Sequence, residues 1–98
     1  QTEFELGQMH FDSVRQLLGD QHLSTRENEV MLMLCQHMNN LVERNYILMS
    51  LWGEDNFFNA RSLSVYINHL RKYLSQETSI RILSVHSKGY KLITNANE

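Results

Sequence analysis

The sequence lacks most of the features that mark secreted or membrane proteins. Cys35 is the one cysteine among 98 residues, so no internal disulfide can form, and a lone thiol fits a reducing cytoplasm. The longest apolar run is a handful of residues, whereas a membrane-spanning helix needs about 20. No charged-then-apolar signal segment is expected at the start of the chain. We therefore predict one cytoplasmic globular domain over residues 1–98 that does not enter a membrane.

Catalytic and metal-binding patterns are also missing. The five histidines are scattered and show no metal-ligand spacing: His10, His22, His37, His69 and His86. Cys35 has no accompanying His-and-acid pattern, and Ser87-Lys88-Gly89 is too short to be the phosphate-binding loop of a nucleotide site. We therefore expect neither an enzyme nor a metal or cofactor site. His37 lies on the apolar side of the first predicted helix and should be a buried, hydrogen-bonded residue.

Negative charge is scarce in the last third of the chain, although the whole chain has a formal net charge of −2. Residues 1–60 contain three cations and nine carboxylates, a balance of −6. Residues 61–97 contain six cations and Glu77, a balance of +5, and Glu98 supplies the last −1. A protein polarised in this way can turn its basic end to phosphates and its acidic end away. The asymmetry therefore favours a nucleic-acid partner.

Short alternating runs predict a small antiparallel sheet at the N-terminus. The runs are Phe4–Leu6, Met9–Phe11, Val14–Leu18 and His22–Leu23. Ser24-Thr25-Arg26-Glu27 then has the spacing of a capping box, in which the serine and the glutamate each bind the other's backbone amide. A first helix should follow to about Met38. Its interior, Val30–Cys35, is apolar on nearly all sides and predicts burial between other elements.

Two further helices and a hairpin complete the predicted fold: Arg44–Trp52, Ala60–Leu74, and Ile80–Val85 with Tyr90–Ile93. The second helix has only a weak cap in Glu43, and Gly53 should end it. A loop, Glu54–Asn59, separates it from the third helix. Three helices, the third basic, followed by a hairpin describe a winged helix-turn-helix in the α+β class.

The third predicted helix has two very different faces. Its apolar stripe consists of Leu63, Ile67, Leu70 and Leu74. The opposite face carries Arg61, Val65, Asn68 and Lys72, flanked by Ser64, His69 and Arg71. An ordinary solvated face is mixed in sign, but this one has no carboxylate. Its cations, amide and exposed methyl groups are those that bind in the major groove of DNA. The alternative is a surface helix that is basic without binding DNA.

A series of short matches extends over nearly the whole chain. They are Phe4-Glu5-Leu6, Leu23–Val30, Val42, Arg44, Ile47-Leu48, Leu51-Trp52-Gly53, Ser62-Leu63, Val65, Ile67, Leu70-Arg71-Lys72, Leu74, Val85 and Gly89-Tyr90. By their order and spacing, the chain resembles the C-terminal effector domain of the OmpR/PhoB family of two-component response regulators. The resemblance implies a four-stranded N-terminal sheet, three helices and a C-terminal wing. It also implies a third helix in the major groove and a wing in the neighbouring minor groove.

Carried over by position, the resemblance implies DNA contacts from the second helix, the third helix and the wing. These residues are Arg44 and Trp52; Arg61, Ser62, Ser64, Val65, Asn68, His69, Arg71 and Lys72; and His86, Ser87 and Lys88. The cations should bind phosphates, which position the domain. Val65 can pack on a thymine methyl, Asn68 can pair with adenine, and His69 can donate to or accept from a base edge. Many family members have arginines in place of Asn68 and His69, so the base preference does not transfer. His86 replaces the usual wing arginine, so either Lys88 takes over the minor-groove contact or that contact is weaker.

The resemblance also implies partners other than DNA. In this family the loop between the second and third helices contacts RNA polymerase, and here it comprises Glu54, Asp55, Asn56, Phe57 and Phe58. The alternative is a solvated loop with Phe57 or Phe58 packed into the core. The phosphoacceptor aspartate and receiver fold are missing from this chain, so we expect an effector domain whose receiver lies elsewhere.

Regulation would follow from that missing receiver. A sensor histidine kinase would phosphorylate it, and two copies would then pair on tandem half-sites about 10–10.5 base pairs apart. The isolated domain should be monomeric and bind weakly, because the second copy raises the effective concentration. The competing hypothesis is a winged-helix protein-interaction module that does not bind DNA.

Overall fold

The structure, a computed structural model, describes residues 1–97. These residues form seven strands and three helices: β1 Glu3–Leu6, β2 Met9–Asp12, β3 Leu17–Leu18, β4 Gln21–His22, α1 Thr25–Gln36, β5 Leu41–Glu43, α2 Arg44–Leu51, α3 Phe57–Tyr73, β6 Arg81–Val85 and β7 Gly89–Ile93. The predicted winged-helix architecture is confirmed. Two sheets flank the helices, one four-stranded at the N-terminus and one three-stranded that includes the C-terminal hairpin.

The N-terminal sheet is an antiparallel meander in the order β1-β2-β3-β4. Phe4 pairs with Phe11 and their rings stack, with both side chains turned to the core. The predicted strand over Val14–Leu18 is wrong in its first three residues. Asp12 accepts hydrogen bonds from the backbone amides of residues 14 and 15, which form a turn, and Val14 is exposed. Only two residues of that run belong to β3.

Helix α1 begins as the capping box predicts. The Ser24 hydroxyl accepts from the Glu27 amide at 3.2 Å, and the Glu27 carboxylate accepts from the Ser24 amide at 2.9 Å. The helix ends at Gln36, two residues before the predicted end. The prediction that His37 is buried is wrong, because this residue is the C-cap of α1 and is exposed. Its Nδ1 is still hydrogen-bonded, to the carbonyl of Met33 at 3.0 Å.

Helix α3 starts three residues earlier than predicted. The Asn56 side chain accepts from the Asn59 amide at 2.8 Å and caps the helix, as asparagine does at many helix starts. The segment predicted as loop therefore contributes Phe57 and Phe58 to the first turn of α3. Gly53, with φ +79°, ends the preceding α2 as expected, and Glu43 makes no side-chain cap for that helix.

The wing sheet has the order β5-β7-β6, so the C-terminal hairpin has a third strand that the sequence did not predict. Strand β5 is only three residues long, and Val42 at its centre pairs with Tyr90 of β7. Gly89 makes this pairing possible, because a Cβ there would lie 2.1 Å from the carbonyl oxygen of Val42. The strand thereby fixes the base of the wing directly before α2.

One core lies between the two sheets and the three helices. It contains fully buried side chains from every layer, among them Leu6, Leu34, Leu48, Ile67 and Leu92. Burial of such a side chain contributes roughly 1.5–3 kcal/mol, which holds α3 against α1 and α2. None of the helices in residues 1–97 is long and apolar enough to cross a membrane.

Candidate nucleic-acid interface

The two faces of α3 divide as the sequence predicts. Leu63, Ile67 and Leu70 are fully buried against the core. On the opposite side Arg61, Val65, Asn68 and Lys72 are exposed, Val65 to 46% of its full area. Exposing an apolar valine to water is not favourable, and here it lies among cations. This face therefore suits a partner that offers both phosphates and methyl groups.

The arginines and lysines of residues 61–97 have no carboxylate partner in the part of the chain that the structure describes. Of the ion pairs within the described residues, those of Arg26 and His10 lie in the first half of the chain. His69 pairs with Glu27, and within residues 1–97 no arginine or lysine after residue 60 takes part in an ion pair. The positive charge of α3 and the wing is therefore available to an external anion.

Arg71 joins α3 to the wing. Its Nε donates to the carbonyl of Ile82 at 3.0 Å, and its Nη2 donates to the Ser84 hydroxyl at 2.8 Å, both on β6. Its Nη1 lies 3.4 Å from Oδ1 of Asn68, one turn earlier on α3. These bonds give Arg71 a positioning role that the sequence did not reveal. Its predicted phosphate contact stays a prediction.

The wing tip lies beside the start of α2. The Arg44 amide donates to the carbonyl of Lys88 at 2.8 Å, so these two exposed residues are adjacent at one edge of the domain. Ser87 adopts the left-handed conformation, φ +58°, which closes the turn between β6 and β7. His86, Ser87 and Lys88 are all exposed, as a wing that enters a groove requires.

Trp52 lies away from that edge. It is the C-cap of α2, at the opposite end of the helix from Arg44, a separation of roughly 12 Å at 1.5 Å per residue. The guanidinium carbon of Arg26 sits 4.4 Å from its ring centroid, and the Tyr66 ring lies 6.2 Å away. The structure therefore does not bring Arg44 and Trp52 into one patch.

His69 turns one side toward α1. Its Nδ1 lies 2.7 Å from Oε2 of Glu27, and the Tyr73 hydroxyl donates to the same oxygen at 3.3 Å. Burial by itself would raise the pKa of Glu27, but hydrogen bonds from the Ser24 backbone and from His69 outweigh it and hold that pKa below its usual range. The capping box had identified Glu27 as a helix cap. The sequence gives no signal for its second contact, 42 residues away.

The segment Glu54–Phe58, predicted as part of a loop, is largely exposed, and its last two residues belong to α3. Asp55 accepts from the Asn45 side chain at 2.8 Å, and the Glu54 carbonyl accepts from the Asn59 side chain at 3.0 Å. Phe57 and Phe58 are 71% and 76% exposed and contact each other edge to face. The alternative that one of them packs into the core is therefore wrong.

Residues 1–97 contain no group of three or more His, Cys, Asp or Glu side chains arranged to hold a metal ion. Burial raises the pKa of the Cys35 thiol to about 12, so this cysteine stays protonated within the core. The chemistry offered by α3 and the wing is hydrogen bonding and charge.

Comparison with known proteins agrees with this geometry. Residues 13–92 match the family model described as "Transcriptional regulatory protein, C terminal". The chain belongs to this family. The resemblance to OmpR/PhoB-type effector domains predicted from the sequence is thereby confirmed.

Curated members of the family include whole regulators that are much longer than this domain. The chain is 45% identical over 95 residues to the transcriptional regulatory protein RprY of Bacteroides fragilis, covering 93% of this chain and 40% of RprY. It is 31% identical over 75 residues to the heme response regulator HssR of Staphylococcus haemolyticus, covering 76% of this chain and 34% of HssR. The chain thus spans less than half the length of these relatives.

Solved structures of the family share the fold over almost the entire chain. The DNA-binding domain of RstA from Klebsiella pneumoniae, solved in complex with the RstA box, matches with a TM-score of 0.74 and 26% identity, covering 95% of this chain and 98% of that one. The DNA-binding domain of CpxR from E. coli matches with a TM-score of 0.80 at 19% identity, covering 98% of this chain and 100% of that one. The second likeness shows the fold alone.

Proposed function

We propose that this OmpR/PhoB-type domain binds double-stranded DNA in a sequence-specific manner to regulate transcription, with α3 in the major groove and the wing in the adjacent minor groove. The observation that carries the proposal is the exposed face of α3, whose cations have no ion-pair partners among residues 1–97. A helix fits the major groove, where base pairs present distinct patterns of donors, acceptors and methyl groups. The complex of the similar RstA domain with the RstA box supports this assignment.

The contacts divide by chemistry. Arg61, Lys72 and Lys88 are exposed cations that would bind phosphates and set the register of the domain. Val65 would pack on a thymine methyl, and Asn68 would pair with adenine. Arg44 and Arg71 would add two further phosphate contacts. Ser62, Ser64, His69, His86 and Ser87, with Trp52 at the far end of α2, complete the proposed contact set. The domain binds without catalysing a reaction, and no cofactor is part of the proposal.

Asn68 gives a direct test of sequence reading. We expect Asn68→Ala to lose discrimination at one base pair, by roughly 1–3 kcal/mol, because a bidentate contact to adenine is removed. The measurement is selection of duplexes from a random pool with both proteins. Arg71 keeps its bonds to β6 in this variant, so the wing should be unaffected. A selected motif identical to that of the wild type would remove Asn68 from the base contacts.

The regulation of the whole protein is also part of the proposal. Residues 1–98 would be the effector domain of a cytoplasmic response regulator whose receiver is phosphorylated by a sensor histidine kinase. Two copies would then occupy tandem half-sites about 10–10.5 base pairs apart. The isolated domain would be a monomer with weak affinity, since it lacks the gain in effective concentration that pairing provides. The response-regulator relative HssR supports this reading.

The segment Glu54–Phe58 is proposed to contact RNA polymerase. Its support is the exposure of acidic and aromatic side chains next to the DNA-binding helix, which suits a transient protein contact. Asn56 belongs to this segment but also caps α3. Within residues 1–97, the side chains of Glu54 and Phe57 make no hydrogen bond at the start of α3 that a substitution would break, so they are the better positions to test.

Replacing Glu54 and Phe57 together with alanine should abolish activation in a reconstituted transcription assay while DNA affinity stays within about twofold. The control is the pair Asp20→Ala and Val14→Ala, which removes one acidic and one exposed apolar side chain from the N-terminal sheet region. Activation that survives in the Glu54/Phe57 variant, or is lost equally in the control, would contradict the polymerase contact.

A further inference from the structure

The environment of His69 decides which of its ring nitrogens carries a proton. Its Nδ1 lies 2.7 Å from Oε2 of Glu27, whose side chain is only 7% exposed. An ionised carboxylate can only accept a hydrogen bond, so the proton of this bond belongs to Nδ1. In a neutral imidazole the other nitrogen, Nε2, is then an acceptor with a free lone pair.

Three neighbours hold the ring in this orientation. Tyr66 packs edge-on against it with ring centroids 6.2 Å apart, and Tyr73 lies on its other side along α3, with centroids 6.5 Å apart. Glu27 is itself fixed, because its Oε1 accepts the Ser24 amide at 2.9 Å and its Oε2 accepts the Tyr73 hydroxyl. Glu27 of the α1 capping box therefore orients the His69 side chain of α3.

The remaining edge of His69 points away from these neighbours. Its side chain is 47% exposed, and Nε2 has no hydrogen-bond partner within residues 1–97. It lies one position after Asn68 on α3, at the border of the exposed cationic face. A bare acceptor at this border can bind a donor that DNA supplies.

We infer that His69 reads an exocyclic amino group, N6 of adenine or N4 of cytosine, because Glu27 holds it in the Nδ1–H form. These amino groups are the hydrogen-bond donors that bases present in the major groove, whereas guanine and the O4 of thymine present acceptors. Glu27 is a positioning residue that contacts no DNA and fixes the specificity of its partner. The inference deepens the proposed function and rests on it.

A single substitution should convert Nε2 of His69 from a hydrogen-bond acceptor into a donor. In Glu27→Gln the side-chain oxygen of glutamine must accept from the backbone N–H of Ser24, as Oε1 of Glu27 does. The NH₂ group of glutamine then takes the place of Oε2 and faces Nδ1 of His69. An NH₂ group only donates, so Nδ1 must accept and the proton moves to Nε2. Glutamine also completes a capping box, which preserves the start of α1.

The test combines NMR of the free domain with DNA selection. The ¹⁵N shifts of His69 at pH 8 should show an Nδ1–H imidazole in the wild type and an Nε2–H imidazole in Glu27→Gln. Selection from a random duplex pool should then show one base pair whose preference changes from adenine or cytosine to guanine or thymine. Discrimination at that pair should amount to about 2- to 10-fold, the range of one hydrogen bond.

Two further variants separate this role from a structural one. His69→Ala should lose the preference at the same base pair, and adding Glu27→Gln to it should change the motif no further. Tyr73→Phe removes a hydroxyl bond to Glu27 without changing its charge and should keep the wild-type tautomer. If Glu27→Gln fails to fold, the wild-type spectrum and the His69→Ala motif still decide the matter.

The outcomes are distinguishable from a failure of the proposed function. An Nε2–H imidazole in the wild type, or a motif unchanged by His69→Ala, overturns the inference while leaving DNA binding intact. A folded Glu27→Gln domain with an unchanged motif does the same. A wild type that selects no motif overturns the proposed function and the inference with it.

Discussion

Replacing Gly89 with alanine should lower the free energy of unfolding by about 3 kcal/mol or more, a large share of the roughly 5–15 kcal/mol of a typical domain. The new Cβ would lie 2.1 Å from the carbonyl oxygen of Val42 and 2.9 Å from the amide nitrogen of Arg44. Both contacts are backbone atoms, which cannot move aside as a flexible side chain can. Strand β5 must therefore separate from β7, and the wing loses its fixed position beside α2.

Thermal unfolding measures this effect. A loss of 3 kcal/mol corresponds to a decrease in Tm of about 12 °C or more for a domain of this size. Gly53→Ala is the matched control, because Gly53 has φ +79° but nothing within 4 Å of an added Cβ. Backbone strain without a clash should cost it only about 1 kcal/mol. Equal Tm values for the two variants would show that the close approach of β5 and β7 is not essential.

Removing two phosphate contacts should have the largest effect on DNA binding. In the double variant Arg61→Ala, Lys72→Ala, we expect the affinity for the selected duplex to fall about 100-fold, roughly tenfold for each charged contact. The logarithmic dependence of affinity on salt should also become shallower by about 1.8, since each phosphate contact contributes about 0.9. Both side chains are exposed, so the fold should be unaffected.

A control variant with the same change in net charge distinguishes direct phosphate contacts from attraction by the total charge of the domain. Arg15→Ala with Arg81→Ala removes two exposed cations, from the turn before β3 and from the first residue of β6. Its salt dependence should equal that of the wild type. A parallel loss in both double variants would mean that the domain attracts DNA through its total charge and not through the face of α3.

Local chemistry explains what could be predicted from the sequence. The capping box at Ser24 and Glu27 acts within four residues, and the apolar stripe of α3 follows from the helical repeat alone. Both predictions are confirmed. The start of α3 was missed because Asn56 lies in a polar, aromatic segment whose residues are also common in loops.

Tertiary contacts explain what could not be predicted. Strand β5 is too short to produce an alternating pattern and exists because Gly89 lets β7 approach it. The bonds of Arg71 to β6 and of His69 to Glu27 connect elements that are adjacent only in the folded chain. The sequence predicted a phosphate contact for Arg71 and a base contact for His69, but it gave no signal for the bonds that hold either side chain in place.

The most direct test of the account is selection by the wild-type domain from a random duplex pool, followed by affinity measurements across a salt series on the winners and on scrambled DNA. We expect a defined motif and a logarithmic salt slope of roughly −4 to −5, from about five phosphate contacts. Scrambled DNA should bind more weakly with a similar slope. Absence of binding even at low salt would contradict the account and favour a winged-helix module that binds proteins instead.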